Sequence, residues 1–179
     1  MYYSAIKYRD IANGLGVRTV LFVSGCRNRC KGCFQPETWN FKNGKVFDVE
    51  AEDAIIDSLK PDFVKGLTLL GGDPFEPENQ EGLIAFMRRV KAECPDKDVW
   101  AYTGYLLDEE LAPNGKNHTE YTEELLSYID VLVDGPFILE QKSLSLKFKG
   151  SKNQRVIDMH IYHNEGKIQE LEFRTLEKE

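Results

Sequence analysis

Four short apolar runs, at residues 18–23, 67–70, 98–103 and 131–133, each break off into a polar or glycine-containing loop, with helical patterns between them. Runs of this length, rich in Val, Leu, Ile and aromatic residues, read as buried strands. After the first, Asp48 can cap a helix in which Ile55, Ile56 and Leu59 recur at helical spacing before Pro61 stops it. After the second, Pro77 suits a first helical turn. Leu83, Phe86, Met87 and Val90 then form one stripe, Arg88, Arg89 and Lys91 lie largely off it, and Pro95 closes the helix. A shorter amphipathic stretch from Thr122 to Tyr128 precedes the fourth run. Strand and helix in alternation predict an α/β fold of mostly parallel strands joined by right-handed crossovers. Such folds place their sites at the carboxyl ends of the strands, so the four loops there are expected to form one site. With 179 residues, one catalytic domain accounts for the chain.

The first of these loops carries Cys26, Cys30 and Cys33, three of only four cysteines in the chain. A cluster of four irons and four sulfides needs a ligand on every iron, so three thiolates leave one iron open to an outside ligand. The competing reading is structural zinc, completed by Cys94 or a histidine. Zinc loops commonly come as two paired knuckles, and this chain has no second pair, which favours the cluster. Cys94, before Pro95, reads as a packed thiol, and His118, His160 and His163 as surface or loop residues. The grouping of the cysteines also points away from a disulfide framework and to a reducing, cytoplasmic setting.

Lys and Arg number 23 against 30 Asp and Glu, for a net charge of −7, so the chain lacks the basic excess that drives phosphate-backbone binding; nucleic acid is not an expected partner. The first ten residues contain no signal-like apolar run, and no stretch approaches membrane-spanning length, so no membrane partner is expected either.

The loop after the second run is Gly71-Gly72-Asp73-Pro74. Two glycines let a backbone approach a ligand, their carbonyls can accept from an ammonium group, and Asp73 adds a carboxylate of the right sign. At the fourth strand end, Asp134 could hold a ribose hydroxyl or order the site, and a turn-initiating role before Gly135-Pro136 explains it equally well. Farther on, Asn164-Glu165-Gly166 predicts a hairpin turn between residues 160–163 and 168–171, and residues 177–179 read as a solvated tail.

Cys-x3-Cys-x2-Cys after a first strand and Gly-Gly-Asp-Pro after a second resemble the radical S-adenosylmethionine enzymes. Further stretches narrow the resemblance: Leu21 to Cys26, Gly32-Cys33-Phe34, Thr38-Trp39, Tyr102 to Tyr105, Asp130 to Phe137 and Gly150 to Arg155. Together they resemble the glycyl-radical enzyme activases that serve the anaerobic ribonucleoside-triphosphate reductase, from near the N-terminus to about Asp158. The resemblance implies a partial, open (β/α) barrel over residues 1–158, with residues 159–179 as a C-terminal extension. It implies a 4Fe-4S cluster on Cys26, Cys30 and Cys33, and S-adenosylmethionine bound through Gly71, Gly72 and Asp73. Many members carry an aromatic residue before the last cysteine, against the adenine. Here that position is Gly32, the usual residue in the activases, and Phe34 is the aromatic expected to help cover the adenine. The implied partners are the reductase as protein substrate and a flavodoxin-type electron donor. With room for only four or five strand–helix units, the barrel is expected to be open on one side, where a partner's loop can enter; the basic stretch 147–155 could dock an acidic surface of the reductase, and a solvated polar loop is a slightly better explanation of it. Two rivals remain: another small radical enzyme, such as a different activase or a deazaguanine-type synthase, and a non-catalytic iron–sulfur or zinc protein.

Overall fold

The structure is a computed structural model, and it describes residues 1–173. It begins with β1 (Tyr2–Asp10), then β2 (Val17–Val23) and a two-residue strand β3 (Lys45–Val46). The crossover pattern follows as α1 (Val49–Leu59), β4 (Val64–Gly71), α2 (Pro77–Glu93), β5 (Asp98–Tyr102), α3 (Thr122–Ser127) and β6 (Val131–Asp134). The described part ends with β7 (Arg155–Asp158), α4 (Met159–Glu165) and a short extended segment. The seven strands form one sheet in the order β3-β1-β2-β4-β5-β6-β7. Its centre, β2, β4, β5 and β6, is parallel, while β1, β3 and β7 are antiparallel additions at the edges. The sheet does not close on itself.

Alternation along each strand sorts the core into two faces. Leu21, Val23, Leu67, Leu69, Val99 and Leu132 lie under the helices, against Ile55, Ile56, Leu83, Phe86 and Leu125. Val20, Phe22 and Leu70 project from the opposite face, as do Trp100, Val131, Val133 and Val156. Both faces are apolar because both are covered, as expected of a parallel sheet. The cap at Asp48 forms, its Oδ1 accepting from the Ala51 N–H at 3.0 Å. Cys94 is 2 % exposed and packs in the helix-side core.

Arg18 fixes the amino ends of the parallel strands. Fully buried, it donates from Nε to Thr68 Oγ1 (2.8 Å) and from Nη2 to the Leu67 carbonyl (2.8 Å), and it pairs with Asp98 Oδ1 at 2.6 Å. Its guanidinium lies 5.5 Å from the centre of the Trp100 ring. One cation thereby joins β2, β4 and β5 and aligns the three strands whose opposite ends carry the site loops.

The expected hairpin near the C-terminus does not form. Residues 160–163 belong to α4, because Asp158 Oδ1 accepts from the N–H groups of His160 and Ile161 as an N-cap. Gly166, with φ 68°, ends the helix in the left-handed conformation that glycine adopts without a steric cost. Residues 168–171 return alongside β7 instead, with Asp158 N–H on Gln169 O and Leu171 N–H on Val156 O. The tail at 177–179 lies outside the described residues.

Arg18→Ala would strip Asp98, Thr68 and the Leu67 carbonyl of their shared partner. Urea denaturation is expected to show a loss of about 3 kcal/mol, and a loss no larger than the ~0.5 kcal/mol of an ordinary surface change would contradict this account.

Candidate metal centre

The cysteine loop leaves β2 through Ser24 and Gly25. Gly25 has φ 108° and faces the ring of Phe41 at a distance that a Cβ could not share. The loop reverses at Arg29 (φ 46°) and Gly32 (φ 79°), and the Cys33 N–H donates to Cys30 O at 3.1 Å. A side chain at position 32 would be strained by that φ and would meet Leu139. The residue before the last cysteine is thus glycine for a conformational reason.

The Gly-Gly-Asp-Pro loop packs directly on this segment. Gly72 N–H donates to Val23 O (2.7 Å) and Asp73 N–H to Gly25 O (2.8 Å). A Cβ at Gly71 or Gly72 would lie 2.5 Å from the Val23 or Gly25 carbonyl oxygen, so neither position admits a side chain. The two glycines permit contact between two loops as well as approach to a ligand.

Three polar side chains complete the junction. Asn79, in the first turn of α2, donates its amide to Ser24 O (3.0 Å) and Asp73 O (2.8 Å). Fully buried Glu76 accepts from Arg27 N–H, Arg27 Nη1 and the Tyr105 hydroxyl, each at 2.6 Å. Asp73 is 1 % exposed; Oδ1 accepts from Phe75 N–H (2.9 Å) and Thr103 Oγ1 (2.8 Å), and Oδ2 from Gly104 N–H (2.8 Å) and Asn28 Nδ2 (3.4 Å). Burial pushes the Asp73 carboxyl up to about 7, although the donors from Gly104, Phe75 and Thr103 oppose the shift. Burial likewise raises the Tyr105 phenol, helped by its bond to Glu76.

Cys26, Cys30, Gly32, Cys33, Phe34, Gly71, Gly72 and Asp73 all line one cavity of about 460 Å³. Thr103, Gly104 and Gly135 join them from the other two strand ends, so all four loops meet there. The chain after β6 forms a further wall with Phe137, Leu146, Phe148 and Gln154. Phe34 stands at the cavity 72 % exposed. Asp134 is placed differently: it is fully buried, is absent from the cavity wall, and binds Arg155 through both oxygens (2.8 and 2.6 Å) and Leu107 N–H (2.8 Å).

The donor set suits a multinuclear cluster better than a single ion. Burial pushes the Cys26 thiol up to about 12, with Asp73 adding to the shift, and burial raises Cys30 too. Metal must therefore displace protons to bind, the usual linkage for thiolate ligands. The backbone N–H groups of Asn28 and Arg29 oppose the shift at Cys26, and that of Phe137 opposes it at Cys30. Hydrogen bonds of this kind tune cluster potentials. The other candidates for a zinc ligand are engaged elsewhere: Cys94 is in the core, His118 bonds Glu123, and His160 and His163 lie on α4.

Glu76, Asn79 and Arg27 were not singled out by sequence reasoning, and the loop of Thr103 and Tyr105 was expected at the site without roles for those two side chains. The available signal was Glu76 and Asn79 flanking Pro77 directly after the glycine loop, but polar residues at a helix start ordinarily read as solvated caps. No helix among the described residues is long and apolar enough to cross a membrane.

Fold and loop together define a protein built around one iron–sulfur cluster. Residues 12–157 match the family model described as a 4Fe-4S single cluster domain. Curated relatives narrow the class. The chain is 50 % identical over 147 residues to the anaerobic ribonucleoside-triphosphate reductase-activating protein of Haemophilus influenzae, covering 81 % of this chain and 90 % of that one. It is 42 % identical to the protein of that name from Escherichia coli K12 (82 % and 92 % covered) and 38 % identical to that of Enterobacteria phage T4 (87 % and 93 %). The chain belongs to the family of anaerobic ribonucleoside-triphosphate reductase-activating proteins, which are iron–sulfur oxidoreductases.

Asn79→Ala leaves the Ser24 and Asp73 carbonyls without their shared donor, at a cost of about 1–3 kcal/mol. Iron retained per chain after anaerobic reconstitution is expected to fall, whereas Cys94→Ala should retain the wild-type amount. Full iron in the first variant, or loss in the second, would contradict the roles given to these residues.

Proposed function

We propose that the protein is a radical S-adenosylmethionine activase that installs a glycyl radical on the anaerobic ribonucleoside-triphosphate reductase. The observation that carries this reading is the meeting of a three-thiol loop with the Gly71-Gly72-Asp73 loop in one cavity. The open sheet supports a partial barrel, with its cavity bounded on one side by the chain that follows β6.

When bound, the cluster would supply the single electron for reductive cleavage of S-adenosylmethionine, and through it the hydrogen-atom abstraction that leaves a radical on a glycine of the reductase. The chain's own contribution is positioning and exclusion. Cys26, Cys30 and Cys33 would hold the cluster through three thiolates, leaving one iron free for the amino-acid end of the cofactor. Gly71 and Gly72 offer carbonyls to the ammonium group, and Asp73 stabilises its charge from beneath while its internal donors keep the carboxylate fixed. Gly32 lines the cavity beside the last cysteine, and exposed Phe34 can fold over the adenine. Asp134, locked by Arg155, acts on the cofactor by fixing the turn at Gly135, which lines the cavity. Three cavity-lining thiols are best kept reduced in the cytoplasm, and a flavodoxin-type donor would supply the electron.

The test is electron paramagnetic resonance on a mixture of this protein, the reductase, S-adenosylmethionine and a strong reductant. A glycyl-radical signal on the reductase, with 5'-deoxyadenosine formed alongside it, is expected; 5'-deoxyadenosine without that signal would move the assignment to another radical enzyme. Cys26→Ala, Cys30→Ala and Cys33→Ala should each abolish cleavage, and activity in any of them would refute the ligand assignment. Asp73→Ala is expected to weaken S-adenosylmethionine binding by roughly tenfold or more while most of the iron is retained, and an unchanged affinity would remove Asp73 from the cofactor site.

A further inference from the structure

The cysteine loop has an outer face as well as an inner one. Cys26 and Trp39 line the cavity described above, and both also line a second, more open groove of about 980 Å³. Its other walls include Arg27, Arg29, Glu37, Phe41 and Lys42. One cluster ligand is therefore approachable from two sides, with the Trp39 indole beside it on both.

The charge around this groove runs against that of the chain. Residues 26–46 hold five basic side chains, Arg27, Arg29, Lys31, Lys42 and Lys45, and a single acid, Glu37, whereas the whole chain has a net charge of −7. Arg27 is tied to Glu76 and Glu78 and lies over the Phe41 ring at 4.5 Å. Arg29, Lys31, Lys42 and Lys45 are exposed, and no ion pair engages them among the described residues. An open groove with aromatic walls and surplus cations matches the demands of a brief electron-transfer encounter, which relies on charge to orient the partners.

We propose that this outer groove docks an acidic one-electron carrier protein, which delivers its electron to the cluster from the Cys26 side. The proposal rests on the cluster-based reading above and assigns the carrier a place on the chain. In the transfer the carrier is oxidised by one electron and the cluster reduced by one; no bond or proton changes on this chain. The geometry separates two traffics: the cavity admits the cofactor and the protein substrate, while the groove admits the reductant, so neither has to leave for the other to act.

The test uses cluster-loaded protein and an acidic flavodoxin in its two-electron-reduced form, with anaerobic stopped-flow absorbance following bleaching of the cluster. Lys42→Glu and Glu37→Lys change the charge of the groove in opposite directions, and both positions lie outside the ligand loop. At low ionic strength Lys42→Glu is expected to slow reduction by the flavodoxin roughly tenfold and Glu37→Lys to accelerate it. Both differences should shrink as salt is added, while reduction by dithionite, a small anion with no docking surface, changes far less. Unaltered flavodoxin rates in both variants would overturn the docking site. Equal changes with dithionite would also overturn it, since the residues would then act on the cluster rather than on the carrier. Iron and sulfide are measured on the same samples, so a chain that holds no cluster is recognised as a failure of the functional reading itself.

Discussion

The turn between β4 and α2 grips the cysteine loop, and the site depends on that grip. Asn79 ties the Ser24 and Asp73 carbonyls to one amide, and Glu76 holds both the backbone and the side chain of Arg27. An irregular loop cannot satisfy its own backbone groups, and an unpaired buried group costs free energy comparable to a lost hydrogen bond. By borrowing partners from α2, the loop becomes ordered without secondary structure of its own. The absence of side chains at Gly71 and Gly72 brings the two segments into direct contact, which is why this arrangement needs glycine there twice.

That grip has an electrostatic consequence. It buries two carboxylates, Asp73 and Glu76, beneath a thiol that must become a thiolate. Burial and Asp73 together keep the Cys26 proton in place when no metal is present. Iron binding supplies the positive charge that reverses this balance at the thiol. Arg27 keeps Glu76 compensated meanwhile, and the remaining basic residues of the loop face outward. The loop thus separates charge, with acids inside and bases outside.

The parallel centre of the sheet was legible in the sequence because its strands are continuous apolar runs and its helices carry single stripes bounded by Asp48, Pro61, Pro77 and Pro95. The convergence of four strand-end loops follows from topology alone. What escaped was set by partners far along the chain. β1 is half-exposed, with charged residues at its outer end, and forms because β2 offers it an edge. Residues 160–163 have no strong local preference, and the Asp158 cap together with buried Met159 decides for helix. Asp134 read as a turn residue or a ribose ligand; the pairing with Arg155, twenty-one positions away, is visible only in three dimensions. Glu76 and Asn79 were hidden for the same reason, since the groups they hold lie about fifty residues upstream.

In the proposed function, the iron left open by three cysteines is filled by the amino-acid end of S-adenosylmethionine, held over Gly71, Gly72 and Asp73. Electron–nuclear double resonance on the reduced cluster, with the cofactor labelled with nitrogen-15 at its amino group, tests this most directly. A hyperfine coupling from that nitrogen to the cluster is predicted. A reduced cluster with the cofactor bound and no such coupling would contradict the account.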